Sequence, residues 1–217
     1  HCKSVAEVRT VAEAERVGIT LAAQRLREAG LPCREVSAGS TPTAVLADRY
    51  SDVMGGYAHD HVMTWAADPA IVAAIRAQND RTAGLAQDDI DSLDLTWRQE
   101  IGKRTHPTID AVLANPVSDM LRARVAESDG VVTEVFIMDA RGLNVASSAV
   151  TSDYWQGDEA KFSETFGRGA GAMHVGEIEF DVSTQSYQGQ VSVAVTDPDS
   201  GRAIGAITVG LNAEMLF

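Results

Sequence analysis

After Ser128-Asp129-Gly130 the sequence changes its period, and no other feature constrains the fold as strongly. Upstream, apolar residues recur at helical spacing. Downstream, they alternate or run together over strand-length stretches. Val131 to Met138 is rich in β-branched and apolar residues, Asp139-Ala140-Arg141-Gly142 is a turn signal, and Leu143 to Ser147 returns as a second strand. Val175 to Asp181 reads as strand three, Ser183 to Ser186 as a turn, Tyr187 to Thr196 as strand four and Ala203 to Asn212 as strand five. Between the last two, Asp197-Pro198-Asp199-Ser200-Gly201 is a hairpin loop with proline preset for its first corner. Strand four alternates, with Val191, Val193 and Val195 on one face and Gln190, Ser192 and Ala194 on the other. The fold class expected is α+β: a helical part over residues 1–127, with long N-terminal helices packed on a five-stranded antiparallel sheet over residues 128–217. Hairpins between sequence neighbours are the economical way to pair the strands.

The helical part is punctuated by caps. Val5, Val8, Val11, Ala12, Ile19, Ala22 and Leu26 predict a helix ending at Gly30 and Pro32. Thr41-Pro42 opens a second, with Leu46, Tyr50, Val53, Met54, Tyr57, His61 and Trp65 along one face. Asp68-Pro69 starts a short helix with Ile71, Val72 and Ile75, and the pattern lapses from Asn79 to Ala86. Asp88, Asp89 and Asp91 favour the start of a helix carrying Ile90, Leu93, Trp97 and Ile101, by complementing its dipole. His106-Pro107 breaks the chain, and Asn115-Pro116 opens a helix with Val117, Met120, Leu121 and Val125 on one side. Arg122 and Arg124 of that helix default to solvent.

Charge and motifs narrow the function. A formal net charge of −13 argues against nucleic acid or an anionic membrane surface as partner. No apolar run approaches the roughly 20 residues that span a bilayer. No leader is visible at His1, and the chain reads equally as a processed protein or as a segment of a larger one. Cys2 and Cys33 suit neither a disulfide-dense scaffold nor a four-thiolate site; pairing of the two, and lipid attachment at Cys2, both stay open. His59 and His61 point apart on a helix, with His61 on the buried stripe and His59 in solvent, so no metal is expected. No Gly-x-Ser-x-Gly elbow, phosphate-cradling loop or zinc signature is present, and neither an enzyme nor a cofactor is expected.

The segment Ser152 to Phe166 stands between strands two and three. Tyr154 and Trp155 lie beside Asp153, Asp158 and Lys161, and Phe162 and Phe166 suggest a short helix. Aromatic walls with a few charges are what small-molecule pockets use. The run Asp153-Tyr154-Trp155-Gln156-Gly157-Asp158 resembles the single-Cache type of the extracytoplasmic PAS-like sensor domains. So do Glu179-Phe180-Asp181 leading to Gln190-Val191-Ser192, and the closing Ile204-Gly205-Ala206-Ile207-Thr208-Val209-Gly210. The likeness covers residues 131–216; before them only the helical outline matches.

The resemblance implies a PAS-like sheet forming one Cache domain with the helices before it. It also implies a periplasmic or extracellular location and a small-metabolite ligand such as an amine, amino acid or organic acid. A signalling module would then lie outside this chain or on a partner. Amino-acid-binding members place an arginine two residues before the tryptophan; here that position is Asp153, which suits an ammonium group instead. The expected site is therefore Asp153, Tyr154 and Trp155 with Asp181, over a floor of Phe136 and Met138, with hydrogen bonds from Gln190 and Ser192. Asp153 as the N-cap of a helix beginning near Tyr154, with Trp155 in the core, is the competing expectation. A free-standing periplasmic binding protein, and a dimerisation module using the N-terminal helices, are the other functions in play.

Overall fold

Two of the helices begin on a cap that the sequence supplies, Asp68 and Asn115. A computed structural model describes residues 18, 21–30, 50–181 and 186–216. The expectations for His1, Cys2, Cys33, the Thr41-Pro42 cap, Leu46 and most of the Ser183 turn lie outside the described residues. The chain forms two units, residues 1–50 and 51–217, so the helices after residue 50 fall in one unit with the sheet.

In the first unit residues 21–28 are helical and end as the sequence predicts. The Gly30 amide donates to the Arg27 carbonyl at 3.0 Å, and Gly30 takes a φ of +77°, which favours glycine. Ala23 is buried there, whereas Leu26 is exposed.

In the second unit α1 occupies residues 51–66 and contains a π turn at Ala58–Val62. A π turn holds more residues than an α turn. The buried face therefore advances in steps of four, through Met54, Ala58, Val62 and Ala66. His61, expected on that face, is exposed, its ring tilted 37° against that of Tyr57 with centroids 4.5 Å apart. Helix α2, Pro69–Thr82, starts on the Asp68 cap, whose carboxylate accepts the Ala70 amide at 2.9 Å. It runs well past the apparent lapse at Asn79, because Gln78 and Thr82 continue the buried stripe of Ile71 and Ile75 as polar residues.

Helix α3 is Gln87–Glu100 and α5 is Pro116–Glu127, the latter capped by Asn115. Between them, His106-Pro107 opens a helix rather than a simple break: α4, Pro107–Leu113. Its first turn is held by the buried Glu100 carboxylate, which accepts the Thr108 and Ile109 amides at 2.8 and 3.0 Å. An apolar pattern cannot announce a helix of two turns capped from another element.

The strands are β1, Val132–Met138; β2, Asn144–Ser147; β3, Met173–Val175; β4, Glu179–Asp181; β5, Ser186–Thr196; and β6, Ala203–Asn212. The expected third strand is broken into β3 and β4, which pair with successive parts of β5 along one edge. The sheet is antiparallel with five positions, in the order β2-β1-β6-β5-β3, and β4 shares the last position. This is a PAS-like arrangement. Hairpin neighbours pair as expected at β1–β2, β4–β5 and β5–β6, but β2 is an edge strand that does not pair with β3, and β1 pairs instead with β6, from Val132 opposite Leu211 to Met138 opposite Ala206. The closing strand is central.

The alternation of the strands separates two layers. Val135, Ile137, Val191, Val193, Val195, Ile207 and Val209 face the helices and form the main core with Met54, Ile71, Ile75 and Leu121. On the opposite face Phe136, Met138 and Ala206 pack with Phe162 and Phe166. A buried leucine or phenylalanine contributes about 1.5–3 kcal/mol, so both faces of the sheet are stabilised by burial.

Candidate functional site

The chain leaves β2, turns, and comes back along the β1–β2 hairpin as an extended segment. The Asn144 amide donates to the Tyr154 carbonyl at 3.0 Å and the Gln156 amide to the Gly142 carbonyl at 2.8 Å, with Leu143 and Trp155 forming a bridge. No helix begins near Tyr154. The short helix α6 is Ala160–Ser163, preceded by Glu159, so Asp153 is not a helix cap. In an extended segment successive side chains point to opposite sides. Tyr154 and Trp155 therefore part company.

Trp155 goes towards the hairpin turn. Its indole N–H donates to the Arg141 carbonyl at 2.9 Å, and the ring lies against Gly142 and Gly157. A Cβ on Gly157 would stand 2.3 Å from the indole nitrogen, and Gly142 has a φ of +80°, so both positions require glycine. Tyr154 goes the other way and stacks on the buried Trp97 of α3, with centroids 5.4 Å apart and planes at 17°.

Helix α3 pins this segment in place. The Asp94 Oδ1 atom accepts both the Tyr154 and Trp155 amides, at 2.8 and 3.0 Å, while its Oδ2 pairs with Arg98 Nε at 2.8 Å. Trp97 donates its indole N–H to the Thr151 carbonyl at 2.9 Å. Asp153 is engaged as well. Its carboxylate accepts from Ser152 Oγ at 3.0 Å and from the Gln156 carboxamide, and stands 3.6 Å from Arg98 Nη2. An ammonium ligand at Asp153 would have to compete with these donors.

Tyr154 forms one wall of a cleft of about 410 Å³. The opposite walls come from α2 (Ala74, Ala77, Gln78, Arg81, Thr82), from α4 and the start of α5 (Ala111, Val112, Asn115, Pro116, Val117), and from Val145 of β2. The small side chains at 74, 77 and 111 leave the space. Burial pushes the Tyr154 phenol up to about 12, helped by the charge of Asp139 and opposed by that of Arg81, so it stays a neutral hydroxyl at physiological pH. Behind the cleft the buried Asp139 carboxylate accepts from Thr82 Oγ1 at 2.8 Å, Gln78 Nε2 at 3.2 Å and the Arg141 and Leu143 amides at 2.8 and 3.0 Å.

The remaining expected residues lie on the other face of the sheet. Phe136 and Met138 are buried beneath Phe162, with Lys161 Nζ 5.4 Å from the Phe136 ring centroid. Ser192 Oγ and Thr208 Oγ1 share a buried hydrogen bond of 2.9 Å, and Gln190 donates to Glu134 at 2.8 Å. Asp181 is placed by backbone pairing with Ser186; its side chain lies outside what is described. The structure thus joins Phe136 and Met138 in one cluster and brings only Tyr154 to the cleft. Sequence reasoning passed over Gln78, Arg81 and Thr82 and read Asn115 only as a helix start. The available signal was the polar pair Gln78 and Thr82 continuing the spacing of Ile71 and Ile75. Among the described residues no group of three or more His, Cys, Asp or Glu is placed to hold a metal ion.

No family model matches the chain. Over 46 residues, 21% of its length, it is 54% identical to D-threo-3-hydroxyaspartate dehydratase of Delftia sp. (strain HT23), and the match spans 12% of that enzyme. Similar solved structures include the ligand-binding domain of the Campylobacter jejuni chemoreceptor Tlp3 in complex with 4-methylisoleucine, at 11% identity and a TM-score of 0.36, covering 82% of this chain and 62% of that one. The ligand-binding domain of the Pseudomonas aeruginosa PAO1 amino acid chemoreceptor PctC, in complex with GABA, has 12% identity and a TM-score of 0.37, covering 80% and 61%. The sensor domain of the V. cholerae histidine kinase DctB has 14% identity and a TM-score of 0.34, covering 68% and 58%. The chain is similar to these sensor domains, spanning about three fifths of their length, and its own strand order makes it an α+β protein with a PAS-like sheet.

Proposed function

We propose that residues 51–217 form an extracytoplasmic sensor domain of the Cache type that binds a small metabolite for a signalling partner, rather than turning a substrate over. The observation that carries this proposal is the cleft of about 410 Å³ walled by Tyr154. Its size falls in the range of about 300–1,000 Å³ typical of small-ligand sites. Its walls are largely alanine, valine and aromatic, with a few polar groups. Tyr154 is the contact residue among those expected from sequence, and Asp153 and Trp155 hold its segment in position. Among the described residues no helix is long and apolar enough to cross a membrane.

A thermal-shift screen of amines, amino acids and organic acids tests the proposal. A ligand at one hundred times its Kd adds about 2.7 kcal/mol, and each kcal/mol raises Tm by about 2–4 °C in a unit of this size. The expected rise of about 5–11 °C disappears in Ala77→Trp, which fills the cleft from an exposed position. A panel without effect on the wild type, or a shift that persists in Ala77→Trp, would refute a ligand role for this cleft.

A further inference from the structure

The polar groups of the cleft differ in whether they are already used. Asn115 accepts the Val117 and Ser118 amides and donates to the Val112 carbonyl. The Thr82 hydroxyl donates towards Asp139 and the Gln78 carbonyl, and the Gln78 amide donates to Asp139 and the Asn144 carbonyl. The guanidinium of Arg81 and the hydroxyl of Tyr154 have no hydrogen-bond partner among the described residues. Both line the same cleft. Arg81 can only donate, and the neutral phenol is a ready donor.

A cleft edged by a cationic donor and by a phenol able to donate suits an acceptor-rich anion. We infer that the cleft binds a small monocarboxylate with a short aliphatic tail, the carboxylate held by the Arg81 guanidinium and the Tyr154 hydroxyl and the tail lying along the alanine and valine walls. Planar guanidinium matches carboxylate in a two-bond fork, which a lysine or an amide donor does not reproduce. The charge of Asp139 also reaches the Tyr154 phenol, but its carboxylate lies behind Gln78 and Thr82 and accepts donors from four residues, whereas the Arg81 guanidinium lines the cleft itself. The inference rests on the ligand-binding role proposed above, and assigns that role a chemical class and a recognition residue outside the segment after β2.

Isothermal titration with a matched set, 3-methylbutanoate, its primary amide and 3-methylbutylamine, provides the test. The carboxylate is expected to bind at least about tenfold more tightly than the amide, as a charge-assisted pair should. Arg81→Gln removes that preference and leaves amide binding within about twofold, while Tyr154→Phe weakens the carboxylate less than Arg81→Gln does. Raising salt weakens carboxylate binding, because Arg81 is exposed. Amide or amine binding as tight as the carboxylate's, lost in Ala77→Trp, overturns the carboxylate assignment while leaving the cleft a binding site. Carboxylate binding unaffected by Arg81→Gln also overturns it. Binding of none of the three, together with a silent wider screen, would remove the binding role itself.

Discussion

Replacing Asp94 separates two contributions that one carboxylate makes at once. Its Oδ1 accepts the Tyr154 and Trp155 amides, and its Oδ2 pairs with Arg98, whose side chain is 56% exposed. Asp94→Ala leaves two partly buried amides without an acceptor, and a hydrogen bond to a charged group contributes about 1.5–3 kcal/mol. Taking the lower value for each, since water reaches part of the segment, the loss is about 3 kcal/mol. For a unit of this size that is a fall in Tm of about 6–12 °C. Asp94→Asn retains Oδ1 for both amides and loses only the Arg98 pair, which for an exposed i,i+4 partner contributes about 0.5 kcal/mol. Urea unfolding followed by tryptophan fluorescence, with Trp97 and Trp155 flanking the site, measures all three proteins. The order expected is wild type, Asp94→Asn close behind, Asp94→Ala far below. Equal losses for Asn and Ala would show that charge, not the amide clamp, holds the segment. A loss under about 1 kcal/mol for Asp94→Ala would refute the clamp altogether.

Two other outcomes follow from the same structure. The Tyr154 phenol ionises at about 12 against an ordinary 10.0, so the folded state keeps its proton where the unfolded state loses it. Its contribution is therefore complete below pH 10 and falls away as pH rises towards 12; ultraviolet titration of phenolate should show a late transition that is absent in Tyr154→Phe. On the far face, Ser192→Ala should cost about 1–3 kcal/mol by leaving the Thr208 hydroxyl alone in a buried place, while Ser192→Ala with Thr208→Val should recover most of it. A double variant no more stable than the single one would mean that solvent or a ligand reaches this pair; calorimetry decides.

The strands and most helix starts were legible because they are written locally. Asp68-Pro69 and Asn115-Pro116 are caps whose side chains do accept the amides of the first turn. Alternation at 190–195 named both faces of β5. The site was less legible, for reasons that lie between elements. Tyr154 and Trp155 diverge because their segment pairs with the hairpin through Gly142, and nothing local to residues 152–158 specifies that pairing. The length of α2 was hidden by polar residues on its buried face, which are polar because Asp139, distant in sequence, needs donors there. Helix α4 was invisible because its capping acid, Glu100, belongs to the preceding helix.

The central position of β6 has a consequence in time. The β1–β2 hairpin and the β5–β6 hairpin are each made of near neighbours, but they join only through β1 and β6. During synthesis Val132–Met138 must therefore wait, one edge bare, until Ala203–Asn212 has emerged. Such distant pairing slows folding and leaves an unpaired strand edge open to other chains. The production of this protein is thus most vulnerable to self-association in the interval before β6 appears, whatever the stability of the finished fold.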